Sequence, residues 1–200
     1  MPPAKSFSKI LVLGAVGVGK TSIIEQIVYG NYHPEKVMYS TLEDSYDAWI
    51  DADKGQKERI RIYDLKGLDY VSPNLPSHYI QIVDGVMLVF SITSKKSFTL
   101  IEQLKSDIEK VRGKDFPIVI VGNKVDLSDS RECDHAVINK WANKEKVKLF
   151  EVLPMNRNTL QEPITFLMKK IASGYGKVKP DVKLMFRRTG GKNSVKDADA

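Results

Sequence analysis

The chain has 200 residues, 42% of them hydrophobic and 28% charged, with 31 Lys and Arg against 25 Asp and Glu and a formal charge of +6; that is the size of one domain with room for a core. Seven basic residues (Lys177, Lys179, Lys183, Arg187, Arg188, Lys192, Lys196) and three Asp fall within 174–200, leaving 24 basic and 22 acidic residues over the first 173, which argues against a body built to grip nucleic acid, whose excess charge would lie on the fold itself. A single cysteine, Cys133, excludes a disulfide framework and fits a reducing, cytoplasmic setting; no apolar run reaches the ~18–20 residues of a membrane span, and neither Pro2 nor the final Asp197 to Ala200 offers a lipidation signal, so no stable membrane anchor is expected.

In chain order, residues 10–13 are a short apolar run of the kind a buried parallel strand shows. A Gly-rich turn follows, and then residues 21–29, with Ile23, Ile24, Ile27 and Val28 at helical spacing. Residues 46–50 and 58–63 read as two strands of an antiparallel hairpin whose turn is supplied by Gly55. Residues 86–90 and 118–121 are further buried-strand runs, joined by a helix carrying Phe98, Ile101, Leu104, Ile108 and Val111 every three or four positions. Two more helices, 136–144 and 160–171, flank a short strand at 148–152. Strand and helix alternate throughout, so the fold class is α/β, a six-stranded, mostly parallel sheet flanked by helices. The periodicity stops after Ser173, and residues 174–200 mix Gly, Lys, Asp and Pro as a disordered tail does.

Residues 14–21 (GAVGVGKT) satisfy G-x-x-x-x-G-K-[ST] between a predicted strand and a predicted helix. In that context Gly14, Ala15, Val16, Gly17, Val18 and Gly19 turn backbone N–H groups toward a polyphosphate. Lys20 brings charge to its β and γ groups, Thr21 offers a hydroxyl to Mg²⁺, and Ser22 continues the helix start, whose dipole favours the anion. Residues 64–67 (DLKG) close the strand 58–63. An Asp64 so placed reaches Mg²⁺ through water, and the Gly67 N–H meets a γ phosphate. Asn123, Lys124 and Asp126 form N-K-x-D after the strand 118–121, and the Asp126 carboxylate takes two hydrogen bonds from guanine N1 and N2 that adenine does not offer. Each of the last two motifs is weak alone; their order after the first gives them weight.

With these motifs in order, residues 7–173 resemble the Ras-like small GTPases. The resemblance implies GTP or GDP with Mg²⁺ as ligands, Thr41 as the switch residue that closes on Mg²⁺ and the γ phosphate, a neighbouring effector loop with Glu43 and Asp44 exposed for a partner, and Tyr32 as the aromatic stacked on guanine. A packing role for Tyr32 at the end of its helix stays open beside that one.

Three departures from the family pattern matter. Val16 stands where most Ras-like proteins have a second glycine, and its branch crowds the place of an incoming arginine finger, itself worth ~10³–10⁵ in rate. Leu68 replaces the water-orienting Gln and has no group to hold a nucleophilic water, so no catalytic residue is assigned. Pro154, in the segment 151–155 (EVLPM), lacks the N–H that the family donates to the guanine oxygen, so guanine is expected to be held less tightly. Together these lead to an expectation of slow hydrolysis and a persistent GTP state.

The kappa-B-Ras branch shares these oddities. The chain resembles it in residues 41–49 (TLEDSYDAW), 62–68 (IYDLKGL), 75–79 (LPSHY) and 141–149 (WANKEKVKL), and in the missing lipidation signal. That resemblance implies a monomeric regulatory protein that binds the ankyrin-repeat inhibitors of NF-kappa-B and the GTPase-activating complex acting on Ral. A conventional GTP-hydrolysing switch with an unusual activator is the alternative. His33, His78 and His135 lie far apart without metal-ligand spacing, Cys133 beside Glu132 and Asp134 reads as an unreactive thiol, and Trp49 and Trp141 read as core or rim aromatics, with a partner contact left open for Trp49 on its edge hairpin.

Overall fold

The computed structural model describes residues 7–36, 38–51, 57–71 and 73–174. Gly55 and the basic tail from 175 onward lie outside the described residues. Within them, β1 (Ser8–Leu13), α1 (Lys20–Val28), β2 (Glu43–Asp51), β3 (Lys57–Leu65), α2 (Ser77–Ile82), β4 (Gly85–Ser91), α3 (Lys95–Arg112), β5 (Ile118–Asn123), a 3₁₀ segment (Val125–Ser130), α4 (His135–Lys144), β6 (Lys148–Glu151) and α5 (Asn158–Ala172) follow one another. The sheet order is β2-β3-β1-β4-β5-β6. Only the β2–β3 pair is antiparallel; every other neighbour is parallel. This is the α/β architecture, a six-stranded and mostly parallel sheet flanked by helices, that the alternation of elements implies.

The central strands β1, β4 and β5 are continuous apolar runs because helices cover both faces, and their residues are buried along nearly the whole length. The hairpin strands instead alternate, burying Ala48, Ile60 and Ile62 while Asp47, Trp49 and Arg59 stay exposed. Leu100, Ile101, Leu104 and Ile108 of α3 and Leu160, Ile164, Leu167 and Ile171 of α5 seal the two faces. Two helix starts are capped as sequence chemistry dictates: the Ser94 side chain accepts the Ser97 N–H, and that of Asp134 accepts the Val137 N–H. The Trp141 ring stands edge-on to Phe98, 5.1 Å between centroids, and is a rim aromatic. Trp49 is not a core residue; it is 66% exposed on the edge hairpin, because its place on β2 has the parity of the outward face. Among the described residues no helix is long and apolar enough to cross a membrane.

Candidate functional site

Parallel strands deliver their C-terminal ends to one edge of the sheet, and the loops leaving β1, β3 and β5 meet there. They line a cavity of about 520 Å³ with Val16, Gly17, Gly19, Lys20, Thr21 and Ser22 from the first loop and α1, Tyr32 and Thr41 from the α1–β2 connection, Gly67 after β3, and Asn123, Lys124 and Asp126 after β5. Of the residues singled out in the sequence, Gly14, Ala15, Val18 and Asp64 do not line this cavity; they lie behind the wall and hold it.

The glycines are required by proximity. A Cβ on Gly19, whose φ is +92°, would stand 2.2 Å from Asn123 Nδ2, and one on Gly67 would stand 2.4 Å from Val16 Cα. Asn123 Nδ2 donates to Val18 O at 2.9 Å, tying the loop after β5 to the first loop. Lys124 takes a left-handed conformation (φ 67°, ψ 39°), which costs a residue with a Cβ about 1–2 kcal/mol; such strain collects at functional turns. Tyr32 is half-buried and its N–H donates to Oε1 of the buried Gln26 at 2.9 Å. Sequence reading passed over Gln26; a polar residue on the buried face of an amphipathic helix was the signal.

Four groups converge at the start of α1. Lys20 is 7% exposed, and its Nζ donates to Ala15 O at 3.1 Å and Gly14 O at 3.4 Å. Burial pulls its ammonium below the ordinary lysine range, partly offset by the Asp64 charge. Thr21 Oγ1 donates to Asp64 Oδ2 at 2.6 Å and lies 2.9 Å from Thr41 Oγ1, which also reaches Asp64 Oδ2 at 3.4 Å. Asp64 is fully buried; burial pushes its carboxyl above the usual range, with the Thr21 hydrogen bond and the Lys20 charge opposing. Among the described residues its Oδ1 has no hydrogen-bond partner, nor does the buried Oδ1 of Asn123. An orphaned carboxylate oxygen beside two threonine hydroxyls is a hard-oxygen set that fits Mg²⁺, and a buried lysine short of charge partners fits a polyphosphate.

The departures also have positions. The Leu68 N–H donates to Gly14 O at 3.0 Å, residue 68 bridges to Ala15, and the Leu68 side chain packs against the core. Val16 is 59% exposed at the cavity. Near Asp126, Leu153, Pro154 and Met155 line the wall. There the Val152 N–H is given to Gly122 O (2.8 Å), that of Leu153 to Thr159 Oγ1 (3.0 Å) and that of Asn156 to Leu153 O (2.8 Å), while Pro154 has none. Glu151 is clamped by Arg131 through two bonds of 2.7 and 2.9 Å, fixing the end of β6 at this wall. Cys133 is buried, and burial raises its thiol.

Comparison with known proteins agrees with this geometry. The Ras family profile matches residues 9–173. The chain is 41% identical over 186 residues to the human "NF-kappa-B inhibitor-interacting Ras-like protein 1", covering 92% of this chain and 93% of that one. It is 42% identical over 170 residues to the chicken "NF-kappa-B inhibitor-interacting Ras-like protein 2" (84% and 88%) and 38% identical over 170 residues to the zebrafish protein 1 (84% and 88%).

Proposed function

The chain belongs to the Ras family, which implies guanine-nucleotide binding, and from that premise we propose that it is an atypical Ras-like GTP-binding protein whose hydrolysis is slow. Its output is protein binding: it restrains NF-kappa-B signalling by engaging an ankyrin-repeat inhibitor of NF-kappa-B, and it regulates Ral through the GTPase-activating complex of that protein. The domain at 7–173 acts as a monomer in the cytoplasm, with 174–200 as a basic tail.

Gly14 to Ser22 and Gly67 hold the phosphates, Tyr32 faces the base, and Asn123, Lys124 and Asp126 read guanine. Thr21, Thr41 and Asp64 hold Mg²⁺, which when bound neutralises phosphate charge. The observation that carries the slow-hydrolysis reading is the setting of Leu68: its amide is spent on Gly14 O and its side chain on the core. No group at that position can orient a water. Val16 beside Gly67 adds bulk where an activating arginine would enter.

The test is chromatographic identification of the nucleotide released on denaturing freshly purified protein, paired with binding of a purified ankyrin-repeat inhibitor of NF-kappa-B. Bound GTP and a saturable complex are expected. GDP as the released nucleotide would favour the conventional switch, and absence of a complex would remove the partner assignment.

A further inference from the structure

We infer that the inhibitor partner docks through an acidic segment on the outer face of β2, β3 and the start of β1, about 20 Å along β2 from the switch residues. This rests on the partner reading above and gives it a surface.

The register sets two rows across the three strands. In one, Lys9, Arg61 and Asp47 are consecutive cross-strand neighbours; in the next, Arg59 faces Trp49. Phe7 joins them, with its ring 4.8 Å from Arg61 Cζ, 5.5 Å from Arg59 Cζ and 5.9 Å from Lys9 Nζ. Arg61 grips Asp47 through Nε at 2.7 Å and Nη2 at 2.9 Å, and Arg59 reaches the same carboxylate at 2.9 Å. Two arginines therefore share one carboxylate, and Lys9 adds a third cation beside the same ring, so these two rows hold three cations against the one carboxylate of Asp47.

Two features make this patch suited to a protein partner. Both guanidiniums are already held, between a carboxylate and an aromatic ring, so little side-chain freedom is lost when a partner arrives, while most of their N–H donors remain for it. Trp49 leaves two thirds of its surface in water beside them, and Trp and Arg are among the residue types in which interface binding energy concentrates. The excess charge selects carboxylates, and Trp49 selects an apolar side chain between them. Tyr46, of opposite parity to Asp47 and Trp49 on β2, meets Tyr29 at the end of α1, so α1 lies against the other face of these strands and the contact makes no demand on the nucleotide cavity.

The experiment measures binding of a purified ankyrin-repeat inhibitor of NF-kappa-B by full-length wild type, Trp49→Ala and Arg59→Glu, with nucleotide affinity of each variant as the check on folding. Expected are losses of about tenfold or more for each substitution, unchanged nucleotide affinity, and a wild-type affinity that falls with added salt more steeply than that of Arg59→Glu. Wild-type binding that neither substitution weakens overturns the surface and leaves the partner reading standing. So does binding abolished by Leu42→Asp on the switch loop alone, or a Trp49-dependent self-association with inhibitor binding intact. Failure of the wild type to bind the inhibitor overturns both.

Discussion

The hydroxyl of Tyr79 donates to the carboxylate of Glu43, joining α2 to the first residue of β2. Tyr79 is braced from behind by the Tyr63 ring, 5.1 Å between centroids, and Arg112 donates to the carbonyls of Ile80 and Val83 at the end of the same helix. The segment after Gly67 is thus fastened to the segment after Thr41 independently of any phosphate. Glu43 is exposed, as the family resemblance implied, but it is already engaged.

Tyr79→Phe removes only the hydroxyl and keeps the ring contact. Amide exchange in residues 41–45 and 77–82 is expected to quicken, and the release of a fluorescent guanine nucleotide with it. In the wild type, ionisation of this phenol is held up at about 12, chiefly by the hydrogen bond to Glu43; Glu43→Gln should bring it down in an ultraviolet titration. Unchanged exchange in both segments would mean that the contact fastens nothing.

Asp64 costs the empty fold stability. Its raised pKa means that the folded chain binds more protons than the unfolded one between the ordinary Asp value and the raised one, so stability falls as pH rises through that window. Asp64→Asn can still accept from Thr21 and Thr41. It should raise the melting temperature of nucleotide-free protein at neutral pH by about 2–4 °C, the shift that roughly 1 kcal/mol gives at this size, and flatten that pH slope. The stabilisation by Mg²⁺ with GTP should vanish. A lower melting temperature in the nucleotide-free variant would contradict the account.

Pro154→Ala adds an N–H to a wall whose neighbouring amides at 152, 153 and 156 are spent. One hydrogen bond to the guanine oxygen is worth about 1 kcal/mol, or roughly fivefold, so nucleotide release should slow by that factor. A release rate equal to that of wild type would mean that the wall does not read that oxygen.

Much of the site was legible because its motifs sit at strand ends: the run before Gly14, the strand before Asp64 and the strand before Asn123 all form as expected. Other parts left no pattern. The α2 helix has six residues, starts after Pro76 and buries only Ile80, so it carries no helical period. The 3₁₀ segment after Lys124 buries nothing. Strand β2 begins three residues before the apolar alternation does, because Glu43, Asp44 and Ser45 are held by pairing with β3 and not by burial. Val111, counted in the apolar repeat of α3, is half exposed near its end. For Trp49 residue type favours core or rim, and strand parity decides for the outward face of the edge hairpin, where the sequence leaves a partner contact open.

Leu68→Gln replaces an apolar side chain that leans on the core with one able to hold water. Intrinsic hydrolysis should rise toward the ~10⁻⁴ s⁻¹ of unassisted Ras, and Val16→Gly in addition should let an arginine-supplying activator act. Neither substitution should weaken GTP binding appreciably, which equilibrium titration checks. If both variants hydrolyse no faster than wild type, residues 16 and 68 are not what limits the rate.

The most direct measurement is single-turnover release of γ phosphate from wild-type protein preloaded with GTP and Mg²⁺, alone and with cell extract. A Leu68 pinned to Gly14 and a Val16 packed on Gly67 predict a rate no faster than ~10⁻⁴ s⁻¹ under both conditions. Rapid loss of γ phosphate under either would contradict a persistent GTP state and make the protein a conventional switch.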